Sequence, residues 1–181
     1  MANWSKIARR IRVPSGFAFA AVYLILARPT AIYLAIGGVF IVAGLAIRAI
    51  ASGHLQKNEV LATTGPYAYT RNPLYFGSLI MAVGFTIAAR SFWIALILAI
   101  LLFAIYLPVI RDEESYLADH FPEFTTYAAE VPRFVPRLRH NAHAHLSFSW
   151  DLYRKHREYN ALLGSIVLIG ALLAKMIWIS C

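Results

Sequence analysis

Uncharged apolar runs occupy Val13–Ala27, Pro29–Ile47, Asn72–Ala89, Ser91–Ile110 and Tyr159–Ala174, and Met176–Ile179 continues the last past Lys175. A helix crosses a bilayer with roughly 20 mostly apolar residues. The pattern therefore predicts five transmembrane helices, over about 13–27, 29–50, 72–89, 91–110 and 159–179. Only Arg28-Pro29 separates the first from the second, which predicts a tight hairpin. No small-x-small cleavage site lies between them, so the first run reads as a span rather than a leader. Gly37, Gly38 and Gly44 in the second run predict close helix packing. Lys175, near the end of the fifth, is placed to snorkel to the interface.

Composition sharpens this picture. Of the 181 residues 60% are apolar and 14% charged, against about 45–50% and about 25% in an ordinary soluble domain. Disorder, collagen and a secreted disulfide scaffold are excluded, and a soluble enzyme is disfavoured. The expected fold class is all-α: one polytopic membrane helix bundle spanning residues 1–181. The single cysteine, Cys181, offers neither a disulfide framework nor a Cys-based metal site.

A net charge of +8 would suggest nucleic acid in a soluble chain, but its distribution argues otherwise. Fourteen of the 17 Lys and Arg fall on one side of the predicted spans, leaving Arg28, Arg90 and Lys175 on the other. The positive-inside rule places the fourteen in the cytoplasm, with the N-terminus in and the C-terminus out. The expected partner is thus the bilayer of a prokaryotic cell membrane, not nucleic acid. The nine acidic residues all lie between Glu59 and Glu158. Polar information is concentrated in two segments assigned to the cytoplasm, His54–Gly77 and Arg111–Arg139.

In the first segment, Gly65-Pro66 signals a turn, and Asn72-Pro73 pairs a preferred N-cap with a preferred first helical residue. The exposed N–H groups of that helix start suit an anion. Arg71 directly precedes it, and Tyr67, Tyr69 and Tyr75 lie nearby; an interfacial aromatic belt is the plainer reading of the same residues. In the second segment, continuing the fourth helix puts Val109, Glu113, Tyr116, Leu117 and His120 on one face. Glu113 on an apolar face calls for a ligand, or for a partner such as Arg133 or Arg137. Glu114 falls about 100° around the helix, within reach of Arg111. Pro132 and Pro136 make Val131–Arg137 extended, placed to close over the space between the segments.

The two segments together resemble the isoprenylcysteine carboxyl methyltransferase and phospholipid methyltransferase superfamily of membrane enzymes. The resemblance rests on Thr64-Gly65-Pro66-Tyr67, Arg71-Asn72-Pro73-Leu74-Tyr75-Phe76-Gly77, Glu113-Glu114, Leu117, Phe121, Tyr127, Val131-Pro132-Arg133 and Pro136. It covers residues about 54–139 and departs from the family pattern in three places: Asn72 stands for a histidine, Pro122 for a glycine, and Val109 where eukaryotic members have an arginine. The resemblance implies a pocket for S-adenosylmethionine, released as S-adenosylhomocysteine. It implies cofactor contacts from Glu59, Val60, Leu61, Ala62, Gly65, Tyr67, Arg71, Asn72, Pro73, Leu74, Tyr75, Glu113 and Glu114. No catalytic base is nominated; Arg111 is the nearest cation for orienting a substrate.

The chemistry of the residues agrees with that implication. A helix start plus arginine suits the cofactor's carboxylate, a buried glutamate its amine or ribose hydroxyls, and tyrosines its adenine and sulfonium. No G-x-G-x-x-G occurs to suggest a Rossmann site. The expected activity is methyl transfer to a lipophilic acceptor: a carboxyl, thiol or amine of a lipid-like molecule. Two rivals are a nicotinamide-dependent membrane reductase of the sterol reductase type and a non-enzymatic membrane transport protein. His54 is placed to line the pocket or the interface. His140, His143 and His145 read as a solvated connector rather than a metal site. Leu146, Trp150 and Tyr153 recur at helical spacing, as in an interfacial helix leading into the fifth span.

Overall fold

A computed structural model describes residues 2–56, 60–137 and 148–180; Glu59 and the triplet His140, His143 and His145 lie outside the described residues. The described residues are helical, with no strand among them. In chain order the helices are α1 (Ala2–Leu26), α2 (Ala31–Ser52), α3 (Pro73–Ala89), α4 (Phe92–Leu101), α5 (Leu107–His120), α6 (Phe124–Glu130), α7 (Trp150–Lys155) and α8 (Tyr159–Ser180). A short 3-10 turn, Gly65–Ala68, precedes α3, and a π-helical turn, Leu102–Tyr106, joins α4 to α5.

Three helical stretches are long and apolar enough to cross a membrane: Ala31–Ser52, Phe92–His120 and Tyr159–Trp178. The other two expected spans are apolar helices of lesser length, Pro14–Leu26 and Pro73–Ala89. At 1.5 Å per residue they reach only about 20 and 26 Å, short of a hydrocarbon core of about 30 Å. The first run is the apolar end of a longer helix that begins in the basic N-terminal segment at Ala2.

The α2–α3 pair is the most intimate packing in the bundle, and glycines make it so. A Cβ on Gly44 would sit 2.5 Å from the Gly77 carbonyl oxygen, and one on Gly84 would sit 2.6 Å from that of Gly37. Gly37 faces Gly84 and Gly44 faces Gly77, two turns apart, so the helices run antiparallel with their backbones in direct contact. Gly38 has open space around it and takes no part.

With that face of α2 occupied, α1 does not form the expected hairpin with it. It packs instead on the π-helical turn and α5, with lesser contacts to α4 and α8. Tyr23 and Ala27 are buried with Ala88, Ala89, Ile94 and Leu172, and Tyr23 donates its hydroxyl to the Phe85 carbonyl at 2.8 Å. Lys175 does not reach outward. Its ammonium donates to the carbonyls of Leu24 (2.5 Å) and Ile25 (3.0 Å), capping the C-terminal end of α1.

The α4–α5 run contains Pro108, which has no N–H for the carbonyl four residues earlier, Ala104. The helix absorbs this with the π turn, in which the Leu107 N–H bonds to the Leu102 carbonyl. The Trp4 indole of α1 then donates to the Ala104 carbonyl at 3.0 Å. Ala8, Ile105 and Val109 bury one another beside that contact.

Candidate functional site

At the end of the bundle where α2 passes to α3 and α5 passes to α6, the two polar segments come together. Their backbones are tied directly. The Arg71 N–H donates to the Pro132 carbonyl at 2.9 Å, and the Arg137 N–H to that of Tyr69 at 3.0 Å. The Tyr127 hydroxyl donates to the Tyr67 carbonyl at 2.7 Å, and the Thr70 hydroxyl to that of Arg133 at 3.1 Å. The extended Val131–Arg137 segment thus forms one wall. Gly65, at φ +58°, turns the chain into the 3-10 turn with the His54 imidazole packed where a side chain would lie.

Between the segments lies a cleft of about 740 Å³, within the usual range of about 300–1,000 Å³ for small-molecule sites. Val60, Leu61, Ala62, Tyr67, Arg71, Asn72, Pro73, Leu74, Tyr75, Glu113 and Glu114 line it. Gly65 and Arg111 do not; Gly65 shapes the turn beneath Tyr67, and Arg111 is exposed on the outer side of α5. The cleft also takes in Arg9, Arg48, Ser78, Tyr106, Asp112 and Tyr127, which sequence reasoning did not nominate. Arg9 pairs with Asp112 at 2.7 Å across its rim. The signal for Arg48 was a lone cation near the end of an otherwise apolar helix, read only as a topology marker.

The two glutamates exchange the roles expected of them. Glu114 is the buried one, 8% exposed. It accepts from Arg133 Nη2 (2.6 Å), Arg133 Nε (2.9 Å) and Asn72 Nδ2 (3.0 Å), with Arg71 Nη1 at 3.7 Å. Glu113 is exposed at the cleft wall and accepts the Tyr75 hydroxyl at 3.0 and 3.1 Å. The inward stripe of α5 runs through Ile110, Glu114 and Leu117, one residue around from the expected Val109–Glu113 stripe. Val109 and Ile110 are both apolar and both buried, so hydrophobic spacing fits either glutamate. The cations across the cleft decide, because a buried carboxylate is tolerated only where it is paired. Arg111 is not the partner of Glu114.

Asn72 departs from expectation in the same way. It stands at the N-cap of α3, yet its side chain makes no capping bond and is spent on Glu114 and the Arg133 carbonyl. Pro73 at the first helical position starts the helix without it.

Among the described residues, the charged walls leave one buried side-chain donor unmet. Arg71 Nε is buried and has no partner, an unmet demand that an anionic group in the cleft would satisfy. The Tyr67 and Tyr127 hydroxyls are held in their neutral form, their pKa values raised above the ordinary 10.0. Burial is the main cause for both. Tyr127, Glu158 and Glu113 push Tyr67 further up against an opposing effect of Arg48. For Tyr127, Arg71 opposes and Glu114 reinforces the rise. Among the described residues no three His, Cys, Asp or Glu side chains group as a metal site.

Residues 45–123, which hold most of this cleft, match the phospholipid methyltransferase family. Over 97 residues the chain is 31% identical to the protein-S-isoprenylcysteine O-methyltransferase of Schizosaccharomyces pombe, covering 53% of this chain and 41% of that protein. It is 42% identical over 110 residues to the nickel-cobalt-cadmium resistance protein NccN of Alcaligenes xylosoxydans xylosoxydans, 61% of this chain and 46% of the relative. It is 41% identical over 83 residues to the cobalt-zinc-cadmium resistance protein CzcN of Cupriavidus metallidurans, 46% and 38%. The chain thus spans less than half the length of each of these relatives. No solved structure matches it. The resemblance to the isoprenylcysteine carboxyl methyltransferase and phospholipid methyltransferase superfamily is borne out over the segment that builds the cleft.

Proposed function

We propose that this chain is an integral membrane methyltransferase that uses S-adenosylmethionine and methylates a lipophilic acceptor. Its cleft then faces the cytoplasm in a five-crossing, N-in, C-out bundle. The observation that carries the reading is the coincidence of the 740 Å³ cleft with the family-matched residues 45–123. The reductase and transport readings gain no comparable support.

When bound, S-adenosylmethionine supplies a methyl group activated on a sulfonium. The residues of the cleft fit such a ligand. The unpartnered Arg71 Nε and the start of α3 at Pro73 suit its carboxylate. Glu113, already accepting from Tyr75, has carboxylate capacity left for an amine or a ribose hydroxyl. Val60, Leu61 and Ala62 with the Tyr67 and Tyr75 rings suit the adenine. Glu114 acts as a positioning residue, fixing Asn72 and Arg133 rather than touching the ligand. Methyl transfer needs in-line alignment and exclusion of water more than a dedicated base.

Calorimetric titration in detergent with S-adenosylhomocysteine and, separately, NADPH tests the reading. Binding of the first and not the second is expected; the reverse would overturn it. A reporter fused to the C-terminus tests the topology, and a cytoplasmic reporter signal would overturn the five-crossing arrangement.

A further inference from the structure

Helix α7 is six residues long, less than two turns, and holds its place only because both ends are tied to longer helices. At its start the Ser149 N–H donates to the Gly53 carbonyl, at the C-terminal end of α2, at 3.0 Å, and the Ser149 hydroxyl caps the Leu152 N–H. Just past its end, Glu158 accepts from Nε of Arg48, on α2, at 2.5 Å. The helices it joins, α2 and α8, are both long and apolar enough to cross a membrane. A short helix pinned between the end of one and the start of the other lies at the level where the two leave the hydrocarbon.

The side chains of α7 suit that level. Rings meet edge to face from His54 through Phe148 and Trp150 to Tyr153, with centroids 6.4, 5.0 and 5.8 Å apart. Phe148 seats this series on the bundle, its ring filling the space where a side chain on Gly53 would lie. Trp150 is the outer member, 66% exposed, and an indole with one N–H prefers the head-group level of a bilayer. Arg154 stands one turn from Trp150 on the same face. Arg157 follows in the turn into α8, where its N–H closes on the Arg154 carbonyl at 2.9 Å and its backbone takes φ +52°.

Both guanidinium groups are exposed, and neither has a hydrogen bond or ion pair among the described residues. Glu158 is committed to Arg48, which leaves Arg154, Lys155 and Arg157 against Asp151 alone along this stretch. Two unpaired guanidinium forks beside an exposed indole complement a phosphate whose acyl chains lie next to it.

We propose that α7 and the turn into α8 form a docking site for an anionic phospholipid of the leaflet on the cleft side. Arg154 and Arg157 hold the head-group phosphate, and Trp150 lies against the upper acyl chain. This rests on the bilayer-spanning reading of α2 and α8 and is independent of methyl transfer.

The test is photo-crosslinking in phosphatidylcholine nanodiscs that carry a trace of phosphatidylglycerol or phosphatidylcholine with a diazirine near the glycerol end of one acyl chain. Phosphatidylglycerol should label peptides from the Ser149–Arg157 stretch at least about fivefold more than phosphatidylcholine, the worth of one cation at an anionic surface. Arg154→Gln with Arg157→Asn should bring the two lipids level; asparagine is chosen because it tolerates a left-handed backbone. Raised salt on the unaltered protein is the second arm and should lower the preference. Lys6→Gln with Arg10→Gln removes two exposed cations from α1 instead and should leave the preference intact. Equal labelling by the two lipids, a preference that survives the α7 variant, or an equal loss in the α1 variant would overturn the proposal. Labelling of α2 and α8 by the phosphatidylcholine probe separates the two readings. If it is present without a charge preference at α7, only the lipid site falls; if it is absent, the membrane-spanning reading falls with it.

Discussion

The Arg133 guanidinium lies against the Glu114 carboxylate with Nη2 and Nε 2.6 and 2.9 Å from the same oxygen, joining the segment after α6 to the inward face of α5. Asn72 reaches the other oxygen at 3.0 Å, so one buried carboxylate fixes three pieces of chain around the cleft. Glu114→Gln should therefore cost about 1.5–3 kcal/mol of stability, the worth of a hydrogen bond to a charged group, and lower the melting temperature without ligand. Glu113→Gln, at an exposed position, should cost under about 1 kcal/mol but weaken S-adenosylhomocysteine binding. Melting curves and titrations of both variants check this, and equal melting losses would contradict it.

Gly37, Gly44 and Gly84 each leave no room for a side chain, because a Cβ there would sit 2.4, 2.5 and 2.6 Å from a facing backbone carbonyl oxygen. Gly44→Ala or Gly84→Ala should destabilise the bundle by about 1–3 kcal/mol through forced separation of α2 and α3. Gly38→Ala, where nothing lies within 4 Å, is the control and should be neutral or slightly stabilising. Detergent resistance of the three variants at matched concentration is the measurement.

Trp4 and Pro108 should be coupled. Trp4→Phe removes the donor that serves the Ala104 carbonyl and should cost about 1 kcal/mol. Pro108→Ala restores an N–H in the helix, so Trp4→Phe should cost distinctly less in that background. A double-mutant cycle measures the difference, and additivity of the two changes would show that the indole bond is incidental.

The raised Tyr67 and Tyr127 pKa values give a direction for alkaline stability. Both hydroxyls stay protonated in the folded chain beyond the ordinary 10.0, whereas the unfolded chain releases those protons there. Above about pH 10 the unfolded state thus binds fewer protons, and stability falls as pH rises; below that pH the contribution is fully present. Tyr67→Phe should flatten the fall while preserving the backbone carbonyl that Tyr127 uses. A denaturation series from neutral to alkaline pH reads the slope, and an unchanged slope in Tyr67→Phe would contradict the assignment.

The helical class and the placement of the apolar helices were legible in the chain itself. Length and hydropathy of a segment are local quantities, and Ala31–Ser52, Phe92–His120 and Tyr159–Trp178 carry them plainly. The two polar segments were legible as well, because so many cations, tyrosines and turn signals in short stretches are again a local property. What only the tertiary structure decided is which neighbours those residues meet. The apolar pair Val109 and Ile110 left the inward face of α5 open between Glu113 and Glu114, and Arg133 and Asn72 settled it from distant parts of the chain. Asn72 looked like a cap until Glu114 claimed its amide. Arg48 looked like one more interfacial charge until Glu158, 110 residues away, fixed it at the cleft wall. Periodicity reports what a residue is and how often it recurs, whereas the energy of a buried charge depends on partners that only the packed bundle brings within reach.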